Sequence, residues 1–177
     1  MVRRFLRKLD FSLLMVILIL AGIGIVNLVS ATRMEPASPL PIYLKQIYWV
    51  GIGLFVMIWA MVVDYHFFER WAYPIYVVNV LLLAGLFLFG DRTSGAVRWF
   101  TFGPISFQPS EFMKLSLVFA LARYLSNTVT KEGLRLRDLV VPLLLLLVPA
   151  GLVLKEPDLG SAGLLILFFV TMILAVK

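Results

Sequence analysis

A chain of 177 residues that is 62% hydrophobic and only 15% charged departs from a soluble domain, in which about a quarter of residues are charged. Mean hydropathy is +0.99, and the apolar residues lie in long runs, which excludes one aqueous core and points to a polytopic membrane protein. The net charge of +6 falls in clusters beside those runs rather than on a basic face interleaved with aromatics, so the chain is not read as a nucleic-acid binder.

Arg3, Arg4, Arg7 and Lys8 form a basic head before the first expected span, Phe11–Ser30. Val29-Ser30-Ala31 resembles a weak cleavage site, but the apolar run exceeds the about 7–15 residues of a signal core and further spans follow, so it reads as a retained helix. A polar turn, Thr32–Pro41, holds Pro36, Pro39 and Pro41. The second span, Ile42–Val63, opens with Lys45 and Gln46, and a charged link, Asp64–Arg70, leads to the third, Trp71–Phe89. Gly90–Gln108 is a long loop dense in glycine, arginine and aromatics. The fourth span, Pro109–Leu125, is followed by the basic loop Asn127–Asp138 with Lys131, Arg135 and Arg137. Leu139–Leu154 and Ser161–Val176 are the fifth and sixth spans, separated by KEPDLG, Lys155 to Gly160. The expected fold is an all-α polytopic membrane bundle of about six transmembrane helices with both ends cytoplasmic. Loops 32–41, 91–108 and 155–160 are then outside, while 64–70, with Arg70 against Asp64 and Glu69, is neutral on orientation. Pro74, Pro142 and Pro149 are expected to kink their spans, and Gly22/Gly24 and Gly51/Gly53 to allow close helix packing.

The chemistry concentrates at two helix mouths. Pro109 suits the first position of a helix, and Glu111 complements the positive end of its dipole. Lys114 works against that dipole, so it needs another reason to be there. A self-satisfied pair with Glu111, three residues away, is one reason; a functional role for charges held near lipid is the other. KEPDLG repeats the arrangement, with Lys155, Glu156 and Asp158 before a span on the same expected face. Asp158 reads equally well as a helix cap. Lys45 at the mouth of the second span, with Arg92 and Arg98 in the long loop, adds cations. Basic residues beside free helix N–H groups suit a phosphate or diphosphate. Trp99, Phe100, Phe102 and Phe107 read first as interfacial aromatics. Outside a cytoplasmic membrane there is no ATP pool, so a reaction there needs a substrate that arrives activated, such as a lipid-linked diphosphate. Cations would stabilise the leaving diphosphate and a carboxylate would deprotonate an attacking hydroxyl. Transport of the same lipid would need similar groups. The chain has no cysteine, and the lone His66 cannot build a metal site alone. With no metal-ligand cluster in the sequence, a divalent cation is an open option rather than an expectation.

These residues carry a resemblance. Gly95-Ala96-Val97-Arg98-Trp99, then Phe102-Gly103-Pro104-Ile105-Ser106-Phe107-Gln108-Pro109-Ser110-Glu111 with Lys114, resembles the signature loop and helix of the SEDS (shape, elongation, division, sporulation) family. Lys155-Glu156-Pro157-Asp158-Leu159-Gly160 resembles its second signature, usually Gln-Pro-Asp-Leu/Phe-Gly, and Asp10–Arg33 fits as well. The resemblance implies a multi-pass peptidoglycan glycosyltransferase of the bacterial cytoplasmic membrane. It would polymerise lipid II, the undecaprenyl-diphosphate disaccharide-pentapeptide, at the outer face during elongation and rod-shape maintenance. A class B penicillin-binding protein would cross-link the strands beside it. Tyr43–Trp49 and Asp64-Tyr65 look more like the elongation member than the division member. By this resemblance Glu111 and Lys114 are the catalytic candidates. Lys45, Arg98, Trp99, Gln108, Ser110 and Asp158 are the substrate-binding ones. Two departures stand out. Lys155-Glu156 replaces the usual Gln before Pro157, a change expected to leave the fold untouched. Family members also carry more spans than these, and their essential aspartate lies in a later outer loop. The expectation is therefore a single integral membrane domain, 1–177, forming the amino-terminal part of a SEDS bundle and inactive alone. The alternatives are a lipid II transporter, a division-type member and a non-catalytic scaffold, which would tolerate neutral replacement of Glu111 and Lys114.

Overall fold

The structure, a computed structural model, describes residues 10–32, 41–89, 91–93, 96–102, 105–128 and 135–176. The basic head (Arg3, Arg4, Arg7, Lys8), Pro36, Pro39, Lys131, Gly95, Gly103, Pro104 and the Arg92 side chain lie outside the described residues. Two compact units divide the chain, Met1–Val63 and Asp64–Lys177.

In the first unit, α1 (Phe11–Ala31) packs against α2 (Ile42–Val62). Asp10 caps α1, its Oδ1 accepting from the Ser12 and Leu13 N–H groups at 3.0 and 3.1 Å. This satisfies two of the donors that a helix start leaves open. Neither helix holds a fully buried residue, and most of their apolar side chains are exposed within this unit, as suits lipid-facing spans. Gly22, Gly24, Gly51 and Gly53 each have open space where a Cβ would sit. The expectation that they permit close helix contact is thus corrected within this unit.

The second unit begins with α3 (Tyr65–Phe89), which is longer than its apolar pattern suggests. The expected charged link 64–70 is instead the start of this helix. Asp64 accepts from the His66 N–H at 3.0 Å. At the same end, Arg123 Nη1 donates to the Glu69 and Arg70 carbonyls at 2.8 and 2.7 Å. Then comes a three-stranded antiparallel sheet inside the expected loop: β1 (Asp91–Thr93), β2 (Ala96–Phe102) and β3 (Ile105–Phe107). Its register pairs Arg92 with Val97 and Phe100 with Phe107, with an irregularity between Asp91 and Arg92. Helices α4 (Pro109–Thr128), α5 (Val140–Lys155, entered by a 3-10 turn at Leu136–Leu139) and α6 (Leu159–Ala175) complete the unit. Pro142 sits in the first turn of α5, where a missing N–H removes no helical bond, rather than in its interior. Pro74 and Pro149 are interior.

α4 is the central helix and touches α3, α5 and α6. It buries Met113, Ser116, Leu117, Ala120, Leu121 and Leu125 at helical spacing, against Tyr76 and Leu83 of α3, Leu146, Ala150 and Val153 of α5, and Ala162 and Leu165 of α6. In lipid such helices associate by close packing and interhelical hydrogen bonds rather than by expulsion of water. The Tyr76 hydroxyl supplies one, donating to the Leu145 carbonyl at 2.9 Å. α1, α2, α3 and the Leu136–Lys155 stretch are long and apolar enough to cross a membrane, while α6, of 17 residues, is apolar but shorter. α4 is not among them. It carries Glu111, Lys114 and Arg123 and owes its place to the neighbours that surround it.

Candidate functional site at the mouth of α4

The mouth of α4 is built by its first turn. Pro109 occupies the first helical position, where a ring without an N–H is best tolerated, and the Gln108 carbonyl accepts the Glu111 N–H at 3.2 Å. Lys114 Nζ donates to Glu111 Oε1 at 2.8 Å. The pair is asymmetric: the Lys114 side chain is 14% exposed and that of Glu111 55%. Solvent screens such a pair, so it contributes little to stability. What it does is hold the carboxylate and the ammonium at a fixed spacing. Phe107 at the end of β3 stacks on Phe112, ring centroids 4.7 Å apart, and joins the sheet to the helix. Glu111 and Lys114 line a groove of about 350 Å³ whose other walls are Phe112, Leu115, Leu164 and Phe168. A charged pair therefore sits against an apolar channel between α4 and α6.

The turn between α5 and α6 forms the second part. The Glu156 and Asp158 N–H groups both donate to the Val153 carbonyl, at 3.1 and 3.3 Å, and close the end of α5. Asp158 caps α6, Oδ1 accepting from the Ser161 N–H at 3.0 Å. Arg98 on β2 crosses to this turn. Its Nε donates to the Glu156 carbonyl at 3.0 Å and its Nη2 to the Pro157 carbonyl at 2.6 Å. A guanidinium at the carbonyl end of α5 complements that end of the helix dipole.

Two acids in this turn titrate in opposite directions. Burial, opposed only partly by Arg98, and the like charge of Asp158 push the Glu156 carboxyl up to about 7. Asp158 is held below the usual carboxylate range. Burial would raise it, but the hydrogen bonds from Ser161 and the charges of Arg98 and Lys114 outweigh that. The Lys114 charge at the first helix mouth is thus near enough to contribute to holding Asp158 low at the second.

The expected site residues are distributed as follows. Glu111, Lys114, Arg98 and Asp158 come together. Trp99 lies beside Arg98 on β2 and is 39% exposed. Gln108 serves the helix start through its carbonyl. Ser110 is buried, its Oγ without a partner among the described residues. Lys45 is exposed in the first turn of α2, in the first unit. No group of three or more His, Asp or Glu side chains converges among the described residues. Sequence reasoning missed Arg123, which signals itself only as a charge in an apolar helix. It placed Glu156 at the second helix mouth but gave no sign of its burial, since acids in a turn are ordinarily solvated.

A family model of cell cycle proteins, that of FtsW, RodA and SpoVE, matches residues 9–177. The peptidoglycan glycosyltransferase RodA of Treponema pallidum is 33% identical over 92% of this chain and 37% of its own length. The probable peptidoglycan glycosyltransferase FtsW of Bacillus subtilis is 28% identical over 98% of this chain and 45% of its own. The crystal structure of the Thermus thermophilus rod shape determining protein RodA superposes with TM-score 0.76 at 31% identity, covering 95% of this chain and 58% of that one. A chain from a structure on polymerization and crosslinking by a peptidoglycan synthase complex matches with TM-score 0.76 at 32% identity, over 90% of this chain and 45% of that one. The chain thus spans under half the length of these two curated relatives.

Proposed function

This chain belongs to the FtsW–RodA–SpoVE family of cell cycle proteins, the SEDS family of the sequence resemblance, and is RodA-like in sequence and fold; from that premise we propose that it serves a peptidoglycan glycosyltransferase that polymerises lipid II at the outer face of the bacterial cytoplasmic membrane during elongation. The observation that carries this reading is the groove between α4 and α6. Its apolar walls, Phe112, Leu115, Leu164 and Phe168, suit a polyprenyl chain, and the Glu111–Lys114 pair at its edge suits the diphosphate end. Lys114 would neutralise charge on the leaving diphosphate, and Glu111 would accept a proton from the attacking sugar hydroxyl. Asp158, capping α6, would orient the outer ends of α5 and α6 beside the substrate. Trp99 and Gln108 are the proposed further contacts to the lipid head group, with Arg98 near its diphosphate. The two units act as one integral membrane domain, and a class B penicillin-binding protein is the proposed partner, in keeping with the synthase-complex chain that this fold matches.

The test is charge exchange at the pair, made in a protein that carries the remaining spans and itself restores cell shape. If Glu111 and Lys114 only satisfy each other, Glu111→Lys with Lys114→Glu keeps their attraction. It then costs about 0.3–1 kcal/mol at the helix start, and cell shape is rescued at normal protein level. The proposal expects loss of rescue, by the exchange and by Glu111→Gln and Lys114→Met singly, with membrane levels unchanged. Rescue by the exchanged protein overturns it.

A further inference from the structure

Glu156 is 2% exposed, and neither carboxyl oxygen has a hydrogen-bond partner among the described residues. Arg98 is the cation beside it, yet its Nε and Nη2 are bound to the main-chain carbonyls of Glu156 and Pro157 instead of the carboxylate. Asp158, two residues on, is an anion committed to capping α6. Lys114 of α4 is bound to Glu111. Lys155 is exposed at the last position of α5. Glu156 is itself the residue that ends α5, where the helix dipole is negative. No charged neighbour among the described residues thus pairs with an ionised carboxylate at this position, and two features oppose one. A buried acid in such surroundings keeps its proton.

We propose that Glu156 is a positioning residue that works as the neutral acid, a proton-held latch on the tether between the sheet and the α5–α6 turn. With its proton on, the side chain stays packed beneath the turn, and Arg98 holds the Glu156 and Pro157 carbonyls. When the proton passes to bulk water, the carboxylate cannot remain buried without a cation, and the guanidinium beside it, Arg98, is the one engaged in the tether. The carboxylate then captures Arg98 or leaves for solvent. Capture takes Arg98 from the Glu156 and Pro157 carbonyls, and departure to solvent displaces the Glu156 backbone on which one of those bonds depends. β2 and the start of α6 are uncoupled, and with them Trp99 and Asp158. The latch requires no assumption about the reaction, so it stands or falls apart from the proposed function.

The experiment uses the full chain in detergent or nanodiscs, with two readouts taken from acid to alkaline pH. Infrared difference spectra of the wild type should show a protonated-carboxyl band that titrates near neutrality, well above ordinary carboxylates. Glu156→Gln, neutral at every pH, should lack it. Hydrogen exchange, corrected for its intrinsic pH dependence, should show amides in 96–102 and 156–162 losing protection together as that band disappears. Glu156→Gln should keep the low-pH protection throughout. Wild-type protection that ignores pH across the titration, or a titrating band that survives in Glu156→Gln, overturns the proposal. The first outcome is decisive even if the variant folds poorly.

Discussion

Asp158 and Glu156 are two residues apart and have opposite relations to acid. Asp158 is held below its usual pKa of 3.8, so its contribution to stability is present above that value and disappears as pH falls through the lowered folded-state pKa. Glu156 is raised from 4.5 to about 7. Its proton therefore favours the fold at low pH, and that contribution is lost as pH climbs from 4.5 to about 7. The cap is separable from the charge. Asparagine caps a helix about as well as aspartate, whereas alanine costs about 0.5–2 kcal/mol. Asp158→Asn should thus melt within a degree or two of the wild type at neutral pH, and Asp158→Ala several degrees lower. The wild type's acid-side fall in melting temperature should be smaller in Asp158→Asn. If Asp158→Asn and Asp158→Ala melt equally early at neutral pH, capping is not what the residue contributes. A cap was one of two readings that the sequence alone allows for Asp158, because Pro-Asp before an apolar run fits both. Glu156 was legible in neither role: a turn flanked by Lys155 and Asp158 predicts solvent, and only the packed chain reveals that one of its three charged side chains points inward.

At the level of elements, the start of α4 at Pro109 was readable, since a proline without an N–H, an acid in the first turn and an apolar run mark a helix start locally. The start of α3 was not. Glu69 and Arg70 look like a link because they interrupt the apolar run, whereas in the structure Arg123, more than fifty residues away, donates to both their carbonyls. Its guanidinium also lies over the Tyr73 ring at 4.9 Å. The three short strands were equally hidden, because Gly-Pro and Ser-Gly steps between aromatics read as a loop while strand pairing is a non-local property. Arg123 gives a direct check. Lysine keeps the charge but lacks the planar fork that meets two carbonyls and a ring together. Arg123→Lys should speed amide exchange at 69–73, whose hydrogen bonds depend on the first turn of α3, and leave the core amides of α5 unchanged. Unaltered exchange at 69–73 would show that Asp64 alone secures this end.

For the whole molecule, the sequence foresaw a helical membrane protein and its family, whereas α4, read as a span, carries Glu111, Lys114 and Arg123 and is not among the helices long and apolar enough to cross by composition alone. Orientation is a prediction of the charge distribution, with basic residues retained on the cytoplasmic side. Reporter fusions at Ser94 and Glu156 should report the outer side and a fusion at Glu132 the inner. An inner signal at Ser94 would remove the groove from the face where a lipid-linked sugar is polymerised. A transporter would need polar groups continuing through the bundle, but Asn79, a buried polar residue of α3, turns back on its own helix and donates to the Ile75 carbonyl at 3.0 Å. The Arg98 tether has one more consequence, for biogenesis. Its two bonds join residues 58 and 59 positions apart, so the sheet emerges during synthesis well before the carbonyls that will hold it exist. Until α4 and α5 have been inserted, Arg98 lacks these partners, and in the orientation predicted above it is bare to whatever surveys the translocated side. Insertion of α5 is then the step that ends this exposure. A delay placed between residues 128 and 140 during translation should lengthen the window in which a protease cuts near Arg98.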